Sequence, residues 1–143
     1  MRFIFLFMLC LLPSLAMSAE LKQYLATPPQ KLEIQENCQG FSREALSEFI
    51  DNLEYLEERK MLGDFSIFSP TSGEATHFTF KIDSINLKNQ GYSINISEGK
   101  FELIAHSWAA FFYGKQTLQQ LLDFAQSEEK GLPCLSIADW PNF

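Results

Sequence analysis

The residues whose chemistry could define a site are His77 and His106, the glutamates Glu54, Glu57 and Glu58, and the cysteines Cys38 and Cys134. Neither histidine belongs to HExxH or another metal-ligand spacing. His77 precedes an alternating stretch and His106 a helical one, so each reads as a polar edge or capping residue. The glutamates could do paired-acid work only if two carboxyl groups flanked one bond, about 5 to 10 Å apart. On an amphipathic helix they read instead as a solvated face. There is no GxSxG, no Gly-rich phosphate loop and no Cys-His pair for a nucleophile. These patterns assign no catalytic residue, no metal ligand and no cofactor-binding residue.

Cys38 and Cys134 permit one disulfide in an oxidising compartment. Spacing alone does not bring their Cα atoms together. The reading favoured here is two buried thiols that pack as small hydrophobes. Asn95-Ile96-Ser97 fits the N-glycosylation acceptor pattern, which matters only for a eukaryotic source.

The elements that must position these residues begin after a leader. Arg2, the apolar run from Phe3 to Leu12, and Ala16-Met17-Ser18 before Ala19 read as a secretory signal peptide over residues 1–18. The run stops at Pro13, short of the roughly 20 apolar residues that span a bilayer. Cys10 is followed by Leu11 and Leu12, unlike a lipid-modified terminus. The expected location is periplasmic or secreted. The chain carries 18 acidic against 11 basic side chains, a net charge of −7, which opposes binding to nucleic acid or an anionic membrane. Its 143 residues suit one domain over 19–143 and fall short of a (β/α)8 barrel, which takes about 200 or more.

Pro28-Pro29 forces an extended lead-in, and Lys31 to Gln35 alternates as a short strand. Ser42 is a good N-cap for a helix over residues 43–60, with Leu46, Phe49, Ile50, Leu53 and Leu56 at helical spacing. Phe41 and Leu46 occupy the hydrophobic staple positions. Phe65 and Ile67 suggest a strand closed by Ser69-Pro70 and Ser72-Gly73. Three clearer alternations follow, around Phe78 to Ile82, Tyr92 to Ile96 and Phe101 to Ala105, with Glu98-Gly99 as a hairpin turn. Ser107 caps a second helix with a stripe of Phe111, Leu118, Leu121, Leu122 and Ala125. Gly114 within it predicts close packing against a neighbouring backbone. Cys134 to Ala138 reads as a last strand. The pattern predicts an α+β fold, an antiparallel-rich sheet with two main helices packed on one face.

Three stretches carry a resemblance. They are Gly91-Tyr92-Ser93-Ile94-Asn95-Ile96-Ser97-Glu98-Gly99, the helix Ala109 to Leu122 with Tyr113-Gly114-Lys115-Gln116-Thr117-Leu118, and Leu132-Pro133-Cys134-Leu135-Ser136-Ile137-Ala138-Asp139-Trp140-Pro141-Asn142-Phe143. In order and spacing they resemble the N-terminal accessory domain of bacterial β-N-acetylhexosaminidases, glycoside hydrolase family 20. The match is strong from about residue 76 onward. Asn142 stands where the family usually has Arg, and Lys60 to Ala75 is not recognisable.

The resemblance implies a zincin-like accessory domain that packs beside a catalytic (β/α)8 barrel. In the family an Asp-Glu pair in that barrel does the chemistry, and neither residue transfers to a position here. The chain alone is therefore expected to be inactive, a fragment or split product whose partner is a hexosaminidase barrel if that is encoded separately. A face uncovered by the barrel's absence should be an exposed apolar patch. The alternative is a stand-alone secreted module that binds a protein or N-acetylglucosamine-containing glycans. Trp108, Tyr113 and Trp140 would stack on sugar in that case. Packing is the favoured reading for all three, because Trp108 and Tyr113 lie in the second helix and Trp140 beside the barrel junction.

Overall fold

Alternation decides which side of each strand is buried, and the ladder registers line those sides up on one face of a single sheet. The computed structural model describes residues 25, 29–60, 62–70, 72–85 and 91–140. The leader lies outside the described residues. The elements are β1 (Lys31–Phe41), α1 (Arg43–Glu58), β2 (Gly63–Phe68), β3 (Ala75–Ile82), β4 (Tyr92–Ser97), β5 (Lys100–Ala105), α2 (Trp108–Ser127) and β6 (Leu132–Asp139). The six strands are ordered β1-β6-β4-β5-β3-β2. All neighbours are antiparallel except β3 and β5, which run parallel.

Ile94 sits opposite Leu103 on one side and Ile137 on the other, and Phe80 opposite Leu103 on the far side of β5. Phe78, Phe101, Ile96 and Leu135 form the next row across the same face. Both helices cover this face. The Phe49 ring of α1 stacks at 3.9 Å on Phe41 and lies 5.8 Å from Phe78 and 5.7 Å from Phe101. Phe111 of α2 lies 6.1 Å from Phe80. Each such buried side chain contributes about 1.5–3 kcal/mol. The opposite sheet face is polar, with Ser66, His77, Thr79, Asn95, Glu102 and Ser136 in its rows.

Both helix starts follow the expected chemistry. Ser42 Oγ accepts from the Ala45 N–H at 3.1 Å and Ser107 Oγ from the Ala110 N–H at 3.2 Å, satisfying donors that have no partner within the helix. The first helix ends at Glu58 rather than at residue 60. Lys60 takes a left-handed φ of 49° and its N–H bonds to the Glu57 carbonyl, which closes the last turn. Gly99 turns the β4–β5 hairpin with φ 65°.

Three expectations need correction. Cys38 and Cys134 are not free thiols: they form a disulfide, because β1 and β6 are neighbours and bring their Cα atoms to 5.3 Å. β1 runs on to Phe41, because its ladder shifts register between Ile34 and Gln39 and again before Phe41, with Asn37 at φ 61°. That irregularity breaks the alternation the sequence displays. Gly114 does pack closely, yet against side chains rather than backbone: a Cβ there would stand 2.7 Å from Leu103 Cδ1 and 3.2 Å from Tyr92 Cδ2.

Candidate docking surface

Helical geometry sorts the side chains of α2 into two populations. Ala110, Phe111, Gly114, Leu118, Leu121, Leu122 and Ala125 recur every three or four residues and are buried against the sheet. Each further residue turns about 100° around the axis, so Phe112 and Tyr113 leave that stripe and Trp108 falls one turn before Phe112. All three are exposed, Trp108 and Phe112 at 57% and Tyr113 at 55%. The expectation that Trp108 and Tyr113 are packed inside the helix layer is thus overturned. On α1 and just after it, Tyr55 and Leu62 are exposed as well. Trp140 is half-buried at the end of β6, with the Lys31 ammonium 5.9 Å from its ring centre.

Between the end of α1 and the start of α2 lies a groove of about 430 Å³. Phe80 forms part of its lining, with Leu56 and Leu62 from one side and Trp108, Phe111 and Phe112 from the other. The polar members are Glu57, Lys60 and Lys115. Lys115 Nζ stands 3.7 Å from Glu57 Oε2. Burial holds the Glu57 carboxyl above its usual value, the neighbouring Glu54 charge adds to this, and Lys115 opposes it. Glu57 is therefore not part of a freely solvated face, although Glu54 and Glu58 are exposed. A narrower groove continues between the helices past Glu57, Phe112 and Lys115 toward Glu54 and Leu122.

The remaining candidates are dispersed. His77 lies on the polar sheet face, where its Nδ1 meets Ser66 Oγ at 2.7 Å. His106 follows β5, its N–H bonded to the Gly91 carbonyl at 2.8 Å, while its Nδ1 is buried without a partner among the described residues. Since His77 pairs with Lys100, the two histidines sit at opposite ends of β5. Asn95 occupies a central strand and accepts from Ser136 Oγ at 2.9 Å. Among the described residues no group of three or more His, Cys, Asp or Glu could hold a metal ion. No described helix is long and apolar enough to cross a membrane. What the arrangement offers is an aromatic, partly charged groove flanked by exposed rings, a surface suited to association.

Comparison with known proteins gives one family match, to the model described as glycosyl hydrolase family 20, domain 2, over residues 22–140. No curated protein sequence matches significantly. A solved β-N-acetylhexosaminidase from Bacteroides fragilis NCTC 9343 is 25% identical over 82% of this chain and 24% of that one, with a TM-score of 0.47. An exo β-N-acetylglucosaminidase from Vibrio harveyi, solved in complex with N-acetylglucosamine, is 21% identical over 85% of this chain and 20% of that one, with a TM-score of 0.49. The chain thus spans about a quarter or less of the solved structures it matches.

Proposed function

The chain belongs to the glycosyl hydrolase family 20, domain 2 family, and from that membership we propose that it is a non-catalytic module that docks against a β-N-acetylhexosaminidase barrel. The observation that carries this reading is the exposed apolar surface on the helices. Trp108, Phe112 and Tyr113 are each more than half exposed, and Trp108 and Phe112 line the groove together with Leu62 and Phe80. Leaving such rings in water forgoes the stabilisation their burial would bring, and a covering partner would recover it.

The module's own chemistry is silent in this reading, and the hydrolysis of terminal N-acetylhexosamine belongs to the barrel. The purified chain is expected to release no aryl alcohol from an aryl N-acetylglucosaminide. It is expected to co-elute with a separately produced family 20 barrel in size exclusion with light scattering. Turnover by the chain alone, surviving rigorous purification, would overturn the reading. The same proposal includes export through residues 1–18, which N-terminal sequencing of the mature chain tests.

A second reading draws on the same rings. Exposed Trp108 and Tyr113 have the flat faces that stack on sugars, so a stand-alone glycan-binding module is the alternative. Titration with N-acetylglucosamine oligomers separates the two. Saturable quenching of tryptophan emission favours the binder, and a flat response favours the docking module.

A further inference from the structure

The charge on this chain is −7, yet the lining of the helix groove carries two ammonium groups against one carboxylate. The ammonium groups are those of Lys60 and Lys115, and the carboxylate is that of Glu57. Glu57 is engaged with Lys115, and among the described residues Lys60 has no ion-pair partner. Arg59, next to Lys60, is occupied elsewhere, its guanidinium stacked 3.7 Å over the Tyr55 ring and its Nη1 bonded to the Tyr55 carbonyl. Farther along, Glu54 joins Glu57 beside Lys115, so the lining toward the middle of α1 carries two carboxylates against one ammonium group.

Size and lining restrict the occupant further. A volume of about 430 Å³ lies toward the small end of ligand pockets, about 300–1,000 Å³. It accommodates one or two side chains rather than a folded element. Phe80, Phe111, Trp108 and Phe112 surround it with rings, which favour an aromatic or large aliphatic group. An incoming carboxylate beside Leu62 would meet the Lys60 ammonium, which has no ion-pair partner among the described residues, and charge-assisted hydrogen bonds are stronger than neutral ones.

We propose that the Lys60 end of the groove is the anchor point of the interface, taking an aromatic or large aliphatic side chain of the partner protein flanked by a carboxylate that pairs with Lys60. The proposal rests on the reading that the helices meet a hexosaminidase barrel. It adds the chemistry the barrel must present there.

The test titrates the full chain with N-acetyl-Glu-Phe-Glu-amide and, separately, with N-acetyl-Lys-Phe-Lys-amide, following the Trp108 indole N–H resonance assigned through Trp108→Phe. The acidic peptide is expected to shift it saturably and to bind at least tenfold more tightly than the basic one. The variant Lys60→Glu is expected to reverse that order while keeping its thermal midpoint. Equal response to both peptides, or to neither, overturns the inference. A parallel arm measures association with a family 20 barrel, which Lys60→Glu should weaken at least tenfold and Lys100→Glu on the far sheet face should not. Peptide discrimination without any barrel association supports the anchor and defeats the docking reading. Barrel association indifferent to Lys60→Glu does the reverse.

Discussion

Cys38 and Cys134 are bonded to each other across the β1–β6 ladder, 96 residues apart in sequence. A cross-link closing so long a loop removes much of the unfolded chain's freedom, worth about 4–5 kcal/mol in the chain-entropy account. The double variant Cys38→Ser/Cys134→Ser is expected to lose several kcal/mol in urea denaturation. Reductant should lower the midpoint of the native chain and leave the variant unmoved. An unchanged native midpoint under reductant would show that the bridge contributes nothing.

What the sequence made legible follows from local physics. Ser42 and Ser107 announce helix starts because an orphan N–H needs an acceptor within three residues, and both caps are present. Phe78, Phe80, Ile94, Ile96, Phe101 and Leu103 declare their buried face because a strand has period two. The disulfide was not legible, since no local rule brings β1 beside β6. Nor was the parallel pairing of β3 with β5, where a later strand lies next to β3 in place of its successor. At the candidate surface, periodicity picked out the buried stripe of α2 correctly. The same turn of about 100° per residue carries Trp108 and Tyr113 off that stripe, against the expectation that both are packed.

Two glycines occupy tight places with different neighbours. A Cβ on Gly131 would stand 2.2 Å from the Phe41 carbonyl oxygen and 2.8 Å from the Ser42 carbonyl carbon, both backbone atoms at the start of α1. At Gly114 the nearest atom is the end of the Leu103 side chain. Leu103 can shift a little, and alanine gains about 1 kcal/mol of helix propensity over glycine. Gly131→Ala is therefore expected to destabilise strongly, by about 3 kcal/mol or more, and Gly114→Ala by about 1–2 kcal/mol after that offset. Thermal denaturation of the two variants should rank them in that order, and the reverse ranking would contradict the close approach of Gly131 to the backbone between β1 and α1.

Tyr92 couples β4 to α2 and β6. Its hydroxyl lies 2.5 Å from Thr117 Oγ1 and donates to Asp139 Oδ2 at 3.4 Å. Burial pushes its ionisation from 10.0 up to about 12, with the Asp139 charge adding to the rise and the Thr117 hydrogen bond opposing it. Between those values the folded chain keeps a proton that the unfolded chain releases. Its stabilising contribution is thus complete below pH 10 and is lost as pH rises toward 12. Absorbance titration at alkaline pH should show one of the four tyrosines ionising late. Tyr92→Phe should abolish that late step, and a late step that persists would assign it elsewhere.

Phe111 and Phe112 are adjacent in sequence and opposite in circumstance. Phe111 is buried against Phe80 and meets the Trp108 ring in a T-shaped contact, whereas Phe112 is 57% exposed. Replacing a buried phenylalanine by a small residue costs about 3–5 kcal/mol, because contacts are lost and a cavity remains. A surface ring carries no such cost. Phe111→Ser is therefore expected to lower the unfolding free energy by about 3 kcal/mol or more, and Phe112→Ser by about 0.5 kcal/mol or less. If the exposed ring serves association, Phe112→Ser should also reduce binding of a hydrophobic dye and weaken capture by a family 20 barrel while the fold is unchanged. A Phe112→Ser chain as unstable as Phe111→Ser would place Phe112 in the core and remove the central member of the docking surface.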